Sequence, residues 1–299
     1  MNRSVSQPPP VHPGDRVGVA ALSGPVAPEA LESGVEALRE LGFEPVLASN
    51  LSARHGLFAG SDDERLAGFH DLLADESIKG IIFARGGHGV LRLLPRLDWD
   101  QIVRQPRAYV GYSDLTPLLN LLVSRAGQVA LHGPMVAVDL ARGLEQAERE
   151  SLLSALAGER PAPMKLAGSG KPCEGRLIGG CLSLLNAVVG TSFEVRAAGT
   201  ILFWEDVDEP LYRLDRMLTQ LRLSGSLHRV NGMVMGRIGL RQDDGDDVAL
   251  ADLLGEWESE LSCTVGYGVD CGHGQPNLTL PLGLHSRLDP DRGELSFPE

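Results

Sequence analysis

Basic residues are scarce in this sequence. Lysine and arginine total 27 against 40 aspartates and glutamates, which gives a formal net charge of −13 at pH 7. Nucleic acids and anionic membrane surfaces attract proteins that carry a basic patch. The charge balance therefore argues against nucleic acid or a membrane as the main partner, but it leaves room for a local basic pocket that binds an acidic small molecule.

Long apolar runs are also missing, since none reaches the roughly 20 residues that a transmembrane helix requires. Residues 1–13 are polar and rich in proline, without the apolar segment of a secretory signal, so we expect a loose arm there. A chain of 299 residues that is 43% hydrophobic can bury a large core. We expect a cytoplasmic protein with two domains.

Cysteine is rare, and the spacing excludes a zinc knuckle because no C-x-x-C pair occurs. The four cysteines are Cys173, Cys181, Cys263 and Cys271. We expect reduced structural thiols, although Cys271 lies two residues before a histidine and its reactivity is open. An H-E-x-x-H motif is also absent, so we predict no metal and no cofactor.

The first half of the chain alternates strands with helices. Strands are predicted over 15–22, 45–48, 78–84 and 129–132, and helices over 28–41 and after a capping box at 61–64. This alternation predicts a doubly wound, parallel α/β sheet. Ligands bind such sheets at the carboxyl ends of the strands.

Two loops leave that predicted edge. One is Arg85-Gly-Gly-His-Gly89, whose glycines let the backbone approach a ligand. It is not Gly-x-Gly-x-x-Gly and has no phosphate-binding lysine, so a nucleotide is not predicted. The other is Tyr112–Thr116, in which Ser113 lies on a bend between a strand and a helix. Such a bend suits a nucleophile, although a serine that only serves the turn remains the alternative.

The second half contains the candidate partners of this serine. His273 lies between two glycines after a predicted strand over 265–269, which suits a base, whereas His88 and His132 fit that role less well. Glu205 ends a predicted strand over 200–205 and can orient the base, with Asp206 as the neighbour to exclude. Taken singly, each residue is more often structural.

Composition also suggests the domain limits. We predict an N-terminal domain over 14–140, a linker over 141–174 where proline, glycine and charge concentrate, and a C-terminal domain over 175–299. Helices are predicted over 145–156, 182–189, 210–223 and 248–261, and a closing hairpin over 278–284 and 294–297.

Four motifs occur in an order that resembles the LD-carboxypeptidase family of serine peptidases, which includes muramoyltetrapeptide carboxypeptidases and microcin C immunity peptidases. They are Arg85-Gly-Gly-His-Gly, Gly111-Tyr-Ser-Asp-Leu-Thr, Trp204-Glu205 ahead of Tyr212-Arg-Leu-Asp-Arg, and Gly272-His-Gly-Gln-Pro-Asn. The resemblance runs from about residue 15 to the C-terminus. It implies a flavodoxin-like N-terminal domain, a smaller β-rich C-terminal domain, an active site between them, and a homodimer.

The resemblance also implies site residues. Ser113 is the expected nucleophile, His273 its base and Glu205 the orienter of that base. The backbone N–H groups of Gly87 and Asp114 are the expected oxyanion donors.

Two positions depart from the family pattern. His88 replaces a usual tyrosine and Cys181 an asparagine, and both changes can alter substrate fit. Arg85 is a candidate for the substrate carboxylate, although an arginine after a buried strand equally suits a structural salt bridge.

The resulting hypothesis is a serine carboxypeptidase that releases the terminal D-alanine of murein tetrapeptides, because the compact chain favours the peptidoglycan-recycling branch. A peptidase of microcin C-like peptidyl-nucleotides is the second hypothesis. A non-catalytic muropeptide-binding protein on the same scaffold is the third, since fold alone does not settle function.

Overall fold

The computed structural model describes residues 4–240 and 247–298. The chain forms two compact units, one comprising Met1–Arg160 with Asn277–Pro281 and the other Pro161–Pro276 with Leu282–Glu299. A short segment near the C-terminus therefore belongs to the first unit. The predicted domain limits, 14–140 and 175–299 with a linker over 141–174, stay predictions.

Strands and helices are numbered separately along the chain. The strands are β1 (Arg16–Ala20), β2 (Glu44–Leu47), β3 (Ile78–Phe83), β4 (Ala108–Gly111), β5 (Ala130–His132), β6 (Met164–Lys165), β7 (Ala167–Ser169), β8 (Cys173–Cys181), β9 (Thr200–Glu209), β10 (Gly232–Leu240), β11 (Thr264–Tyr267), β12 (Leu280–Leu282), β13 (His285–Asp289) and β14 (Glu294–Ser296). The α-helices are α1 (Pro28–Glu40), α2 (Asp62–Ala74), α3 (Val90–Leu93), α4 (Trp99–Arg104), α5 (Thr116–Leu121), α6 (Gln146–Leu156), α7 (Leu182–Ala187), α8 (Leu211–Leu223) and α9 (Asp247–Leu261).

The first unit is built on a six-stranded sheet in the order β12-β5-β4-β3-β1-β2. Strand β1 pairs in parallel with β2 and β3, β3 with β4, and β4 with β5. The order 2-1-3-4-5 is that of flavodoxin-like folds, in which the chain reverses direction across the sheet between β1 and β3. The predicted doubly wound α/β sheet is confirmed.

Local sequence explains the central elements of this unit. Ile81, Ile82 and Phe83 of β3 are fully buried, as an apolar strand of a parallel sheet covered on both faces must be. The start of α2 is a capping box, in which the Ser61 hydroxyl accepts from the Glu64 N–H and the Glu64 carboxylate accepts from the Ser61 N–H.

The second unit is built on an eight-stranded sheet in the order β6-β14-β13-β8-β9-β10-β11-β7. Strands β8, β9, β10 and β11 form a parallel centre, and the pairs towards both edges are antiparallel. The β-rich second domain expected for the family is therefore found, and the predicted helices over 182–189, 210–223 and 248–261 correspond to α7, α8 and α9.

The predicted closing hairpin is wrong in its pairing. Strand β14 pairs with β13, whereas β12 joins the sheet of the first unit beside β5. A turn at Gly283, whose φ is 100°, separates β12 from β13, so two successive strands of the chain join different sheets.

The segment 141–174, expected as a linker, contains α6, β6, β7 and the start of β8. Strands β6 and β7 have only two and three residues. Strands this short, in a segment rich in proline and glycine, could not be recognised from the sequence pattern. Among residues 4–240 and 247–298, no helix has both the length and the apolarity needed to cross a membrane.

Two helix glycines allow a matched stability test. A Cβ at Gly34 of α1 would overlap the carbonyl oxygen of Val136, whereas nothing lies within 4 Å of a Cβ at Gly255 of α9. We expect Gly34→Ala to lower the free energy of unfolding by about 1–3 kcal/mol through overpacking. Gly255→Ala should raise it by about 0.5–1 kcal/mol through helix propensity.

Thermal and urea unfolding followed by circular dichroism would measure both variants. Equal effects of the two substitutions would show that α1 does not pack as closely as described.

Candidate active site

Ser113 lies two positions beyond the end of β4 and begins a 3₁₀ turn, Ser113–Leu115, that leads into α5. Its φ is 61°, in the left-handed region that residues with a side chain rarely adopt. Pro117 near the start of α5 fixes the first helical turn after the bend. Ser113 is half-buried in a strained backbone at a strand-to-helix turn. Nucleophilic serines are held in this way in other folds.

The glycine-rich loop after β3 lies directly against this serine. A Cβ at Gly86 would stand 2.8 Å from Ser113 Cβ and 2.9 Å from its Oγ, so only glycine fits. Gly87, with a φ of 115°, is exposed. The Gly24 N–H donates to the Gly86 carbonyl at 3.1 Å, which ties this loop to the one after β1.

The carboxylate of Asp114 fastens these loops together. It is 1% exposed, and its Oδ2 accepts from the Ser23 hydroxyl at 2.6 Å and from the Val90 N–H at 2.9 Å. The bonds connect the ends of β1 and β4 with the start of α3. From the sequence, only the backbone N–H of Asp114 was expected to take part in the site. Its side-chain role was not predicted, although a polar residue after each of two parallel strands is a signal for such a contact.

Arg85 and His88 occupy the flanks of the same loop. The Arg85 guanidinium donates to the Pro25 carbonyl at 3.1 Å, which is a structural contact. His88 is exposed, with its ring centroid 5.6 Å from that of Phe58. Their roles in binding substrate stay predictions.

His273 and Glu205 lie together in the second unit. His273 Nδ1 is 2.7 Å from Glu205 Oε2, and the His273 backbone N–H donates to the same oxygen at 3.1 Å. The Glu205 side chain is 0% exposed and that of His273 is 17% exposed. A buried carboxylate in this position fixes the imidazole tautomer and stabilises its protonated form.

Gly272 makes this pair possible. Its φ is 116°, and a Cβ there would stand 2.7 Å from Glu205 Oε2. The preceding Cys271 is fully buried.

Asp206, the next residue on β9, points to a different partner. Its carboxylate accepts from the Ser183 N–H at 2.7 Å, at the start of α7, and from the Cys181 thiol at 3.6 Å. Alternation along a strand sends neighbouring side chains to opposite faces. Burial raises the pKa of the Asp206 carboxyl. Burial, together with the carboxylates of Glu205 and Asp206, raises the pKa of the Cys181 thiol.

The structure thus groups the predicted residues by unit. Ser113, Gly87 and Asp114 lie in the first unit and Glu205 and His273 in the second. His132, which fits the role of base less well than His273, is fully buried with its ring centroid 5.7 Å from that of Tyr112. In the described ranges, no cluster of three or more histidine, cysteine, aspartate or glutamate side chains offers a metal site.

Comparison with known proteins identifies the family of this chain. The family model of the LD-carboxypeptidase N-terminal domain matches residues 17–133, and that of the C-terminal domain matches residues 174–288. The chain belongs to the LD-carboxypeptidase family, and it is a serine-type carboxypeptidase, a hydrolase.

Individual relatives cover nearly the whole chain. A probable murein peptide carboxypeptidase of Bacillus subtilis is 32% identical over 95% of this chain and 91% of its own. The murein tetrapeptide carboxypeptidase of Pseudomonas aeruginosa is 32% identical over 93% of this chain and 94% of its own. The structure of MccF in complex with glutamyl sulfamoyl guanosine covers 98% of both chains with a TM-score of 0.90 and 26% identity.

The strained backbone at Ser113 predicts a difference between two variants that both lack the hydroxyl. Ser113→Gly relieves the left-handed φ, whereas Ser113→Ala retains it. We expect Ser113→Gly to unfold with a free energy about 0.5–1 kcal/mol higher than that of Ser113→Ala, as measured by urea denaturation. Equal stabilities, or a less stable glycine variant, would contradict the strain.

Proposed function

We propose that this protein hydrolyses the bond between an L-centre, in diaminopimelate or lysine, and the terminal D-alanine of murein tetrapeptides. Ser113 is the nucleophile, His273 the base and Glu205 its orienter. The observation that carries the proposal is the 2.7 Å contact between His273 Nδ1 and the fully buried Glu205 carboxylate. Such a pair costs free energy to bury, and its use is to hold an imidazole ready for proton transfer.

The first half of the reaction forms an acyl-enzyme. With the Nδ1 proton donated to Glu205, His273 Nε2 accepts the hydroxyl proton of Ser113 while Oγ attacks the peptide carbonyl carbon. The resulting oxyanion accepts hydrogen bonds from the N–H groups of Gly87 and Asp114, each contributing roughly 3–4 kcal/mol in such sites. His273 then protonates the amine of D-alanine as the carbon–nitrogen bond breaks.

The second half releases the tripeptide. His273 takes a proton from water, the hydroxide attacks the ester carbonyl, and Ser113 Oγ leaves with the proton that His273 returns. Water is the only co-reactant. No metal enters this scheme.

The substrate class rests on the relatives. The Pseudomonas aeruginosa relative is named a murein tetrapeptide carboxypeptidase, and its similarity extends over both units. We propose the same peptide for this chain, in cytoplasmic recycling of peptidoglycan, with Arg85 as the candidate for its terminal carboxylate. The homodimer implied by the family stays a prediction.

A microcin C-like peptidyl-nucleotide is the second candidate substrate. It is favoured by the TM-score of 0.90 to MccF, whose complex contains glutamyl sulfamoyl guanosine. Parallel assays with murein tetrapeptide and an aminoacyl-sulfamoyl nucleotide separate the two candidates. Cleavage of the nucleotide alone would establish the second candidate in place of the first.

The main test is release of D-alanine from purified tetrapeptide, with mass detection of the tripeptide. Ser113→Ala is expected to lower kcat by about 10³-fold or more while the circular dichroism spectrum is unchanged. Ser33→Ala, which removes an exposed hydroxyl on α1, is the matched control and should keep full activity.

Two results would overturn the proposal. Undiminished D-alanine release by Ser113→Ala would end the serine mechanism, and a fluorophosphonate adduct on another residue would reassign the nucleophile. Tight binding of the tetrapeptide by the wild-type protein without hydrolysis would identify a muropeptide-binding protein instead.

A further inference from the structure

Strand β10 carries a bulge directly opposite the candidate orienter. Met235 pairs with Trp204 and Ile238 with Asp206, so two residues, Gly236 and Arg237, stand opposite Glu205 alone. A bulge bends its strand and redirects backbone groups that would otherwise serve the ladder. The bulge is therefore a local feature of the sheet that can act on the neighbouring loop.

The redirected backbone group binds the loop that carries His273. The Arg237 N–H donates to the Cys271 carbonyl at 2.9 Å. Only glycine fits at position 236, because a Cβ there would stand 2.5 Å from the Cys271 carbonyl oxygen and 2.8 Å from the Phe203 ring. The bulge thus holds the loop two residues before His273.

The Arg237 side chain holds the loop at two further points. Its guanidinium binds the Asp270 carboxylate at 2.5 Å, before the loop's histidine. Its methylene groups lie against Gly274, where a Cβ would overlap Arg237 Cδ. The loop is therefore held before and after His273, which itself lies between two glycines that favour backbone motion.

We propose that Arg237 is a positioning residue for His273. It holds the loop Asp270–Gly274 so that the imidazole keeps its hydrogen bond to Glu205. The effect on turnover rests on the proposed function, whereas the effect on the His273–Glu205 bond does not. A small displacement of a base costs rate steeply, because proton transfer requires a fixed geometry.

The ion pair and the loop contacts of Arg237 favour a positioning role over direct binding of the substrate. The Arg237 side chain is 40% exposed, but its guanidinium is already paired with Asp270. Its backbone N–H and its methylene groups contact the loop backbone. If the guanidinium bound the substrate carboxylate, its removal would instead mainly raise KM.

The kinetic test uses the full chain and four variants. Arg237→Gln and Gly236→Ala are each expected to lower kcat about tenfold or more, with KM within about twofold of the wild type. Arg237→Lys, which keeps a cation near Asp270, should recover a large part of the loss. Arg196→Gln removes a more exposed arginine from its ion pair with Glu194 and should leave both constants unchanged.

A spectroscopic test needs no substrate. In protein with ¹⁵N-labelled histidine, the Nδ1 proton of His273 should resonate far downfield because it lies in a short bond to a buried carboxylate. That resonance should broaden or disappear in Arg237→Gln and Gly236→Ala, and persist in Arg196→Gln.

The outcomes separate the two proposals. If the wild type shows the resonance but releases no D-alanine, the proposed function fails, and the variants still decide the positioning role. An unchanged resonance together with unchanged kcat in Arg237→Gln would overturn that role. A rise in KM alone, with Gly236→Ala fully active, would also overturn it and assign Arg237 to the substrate.

Discussion

The loop that carries His273 depends on the buried carboxylate of Glu205. Glu205 has a side chain with no exposed surface, and an ionised carboxylate in that position is unfavourable unless hydrogen bonds replace the lost water. His273 supplies two of them, from its backbone N–H and its ring. The loop can do so only because Gly272 lets the backbone come close, so this charge and this loop conformation stabilise each other.

In the first unit a buried carboxylate, that of Asp114, likewise fixes a loop, here the one that carries Ser113. Asp114 is buried, and its carboxylate is satisfied by a hydroxyl and a backbone N–H from two other loops. The bonds fix the backbone immediately after Ser113, where the chain already has an unfavourable φ. A strained residue persists only when its surroundings over-determine it, and the buried Asp114 network provides that restraint.

Much of the fold and of the candidate site could be predicted from local sequence. Apolar strands such as β3 indicated the parallel sheet, and glycines on both sides of His273 indicated a loop with close backbone approach. Glu205 and Asp206 end the same apolar run, and strand alternation sends one to His273 and the other to the start of α7. The bulge on β10 gave no such signal, because it exists only relative to the pairing with β9. The partner of β12 was hidden for the same reason, since an apolar run does not specify which sheet it joins.

Of the two departures from the family pattern, His88 is exposed, whereas Cys181 is buried against Asp206. His88 is exposed at the edge of the glycine-rich loop and contacts Phe58 through its ring, so another ring fits there without moving the loop. Gly86 and Gly272 have no such freedom, because a Cβ at either would displace Ser113 or Glu205. In this chain the backbone around Ser113 and His273 is therefore fixed by close contacts, whereas the exposed side chain at position 88 is not.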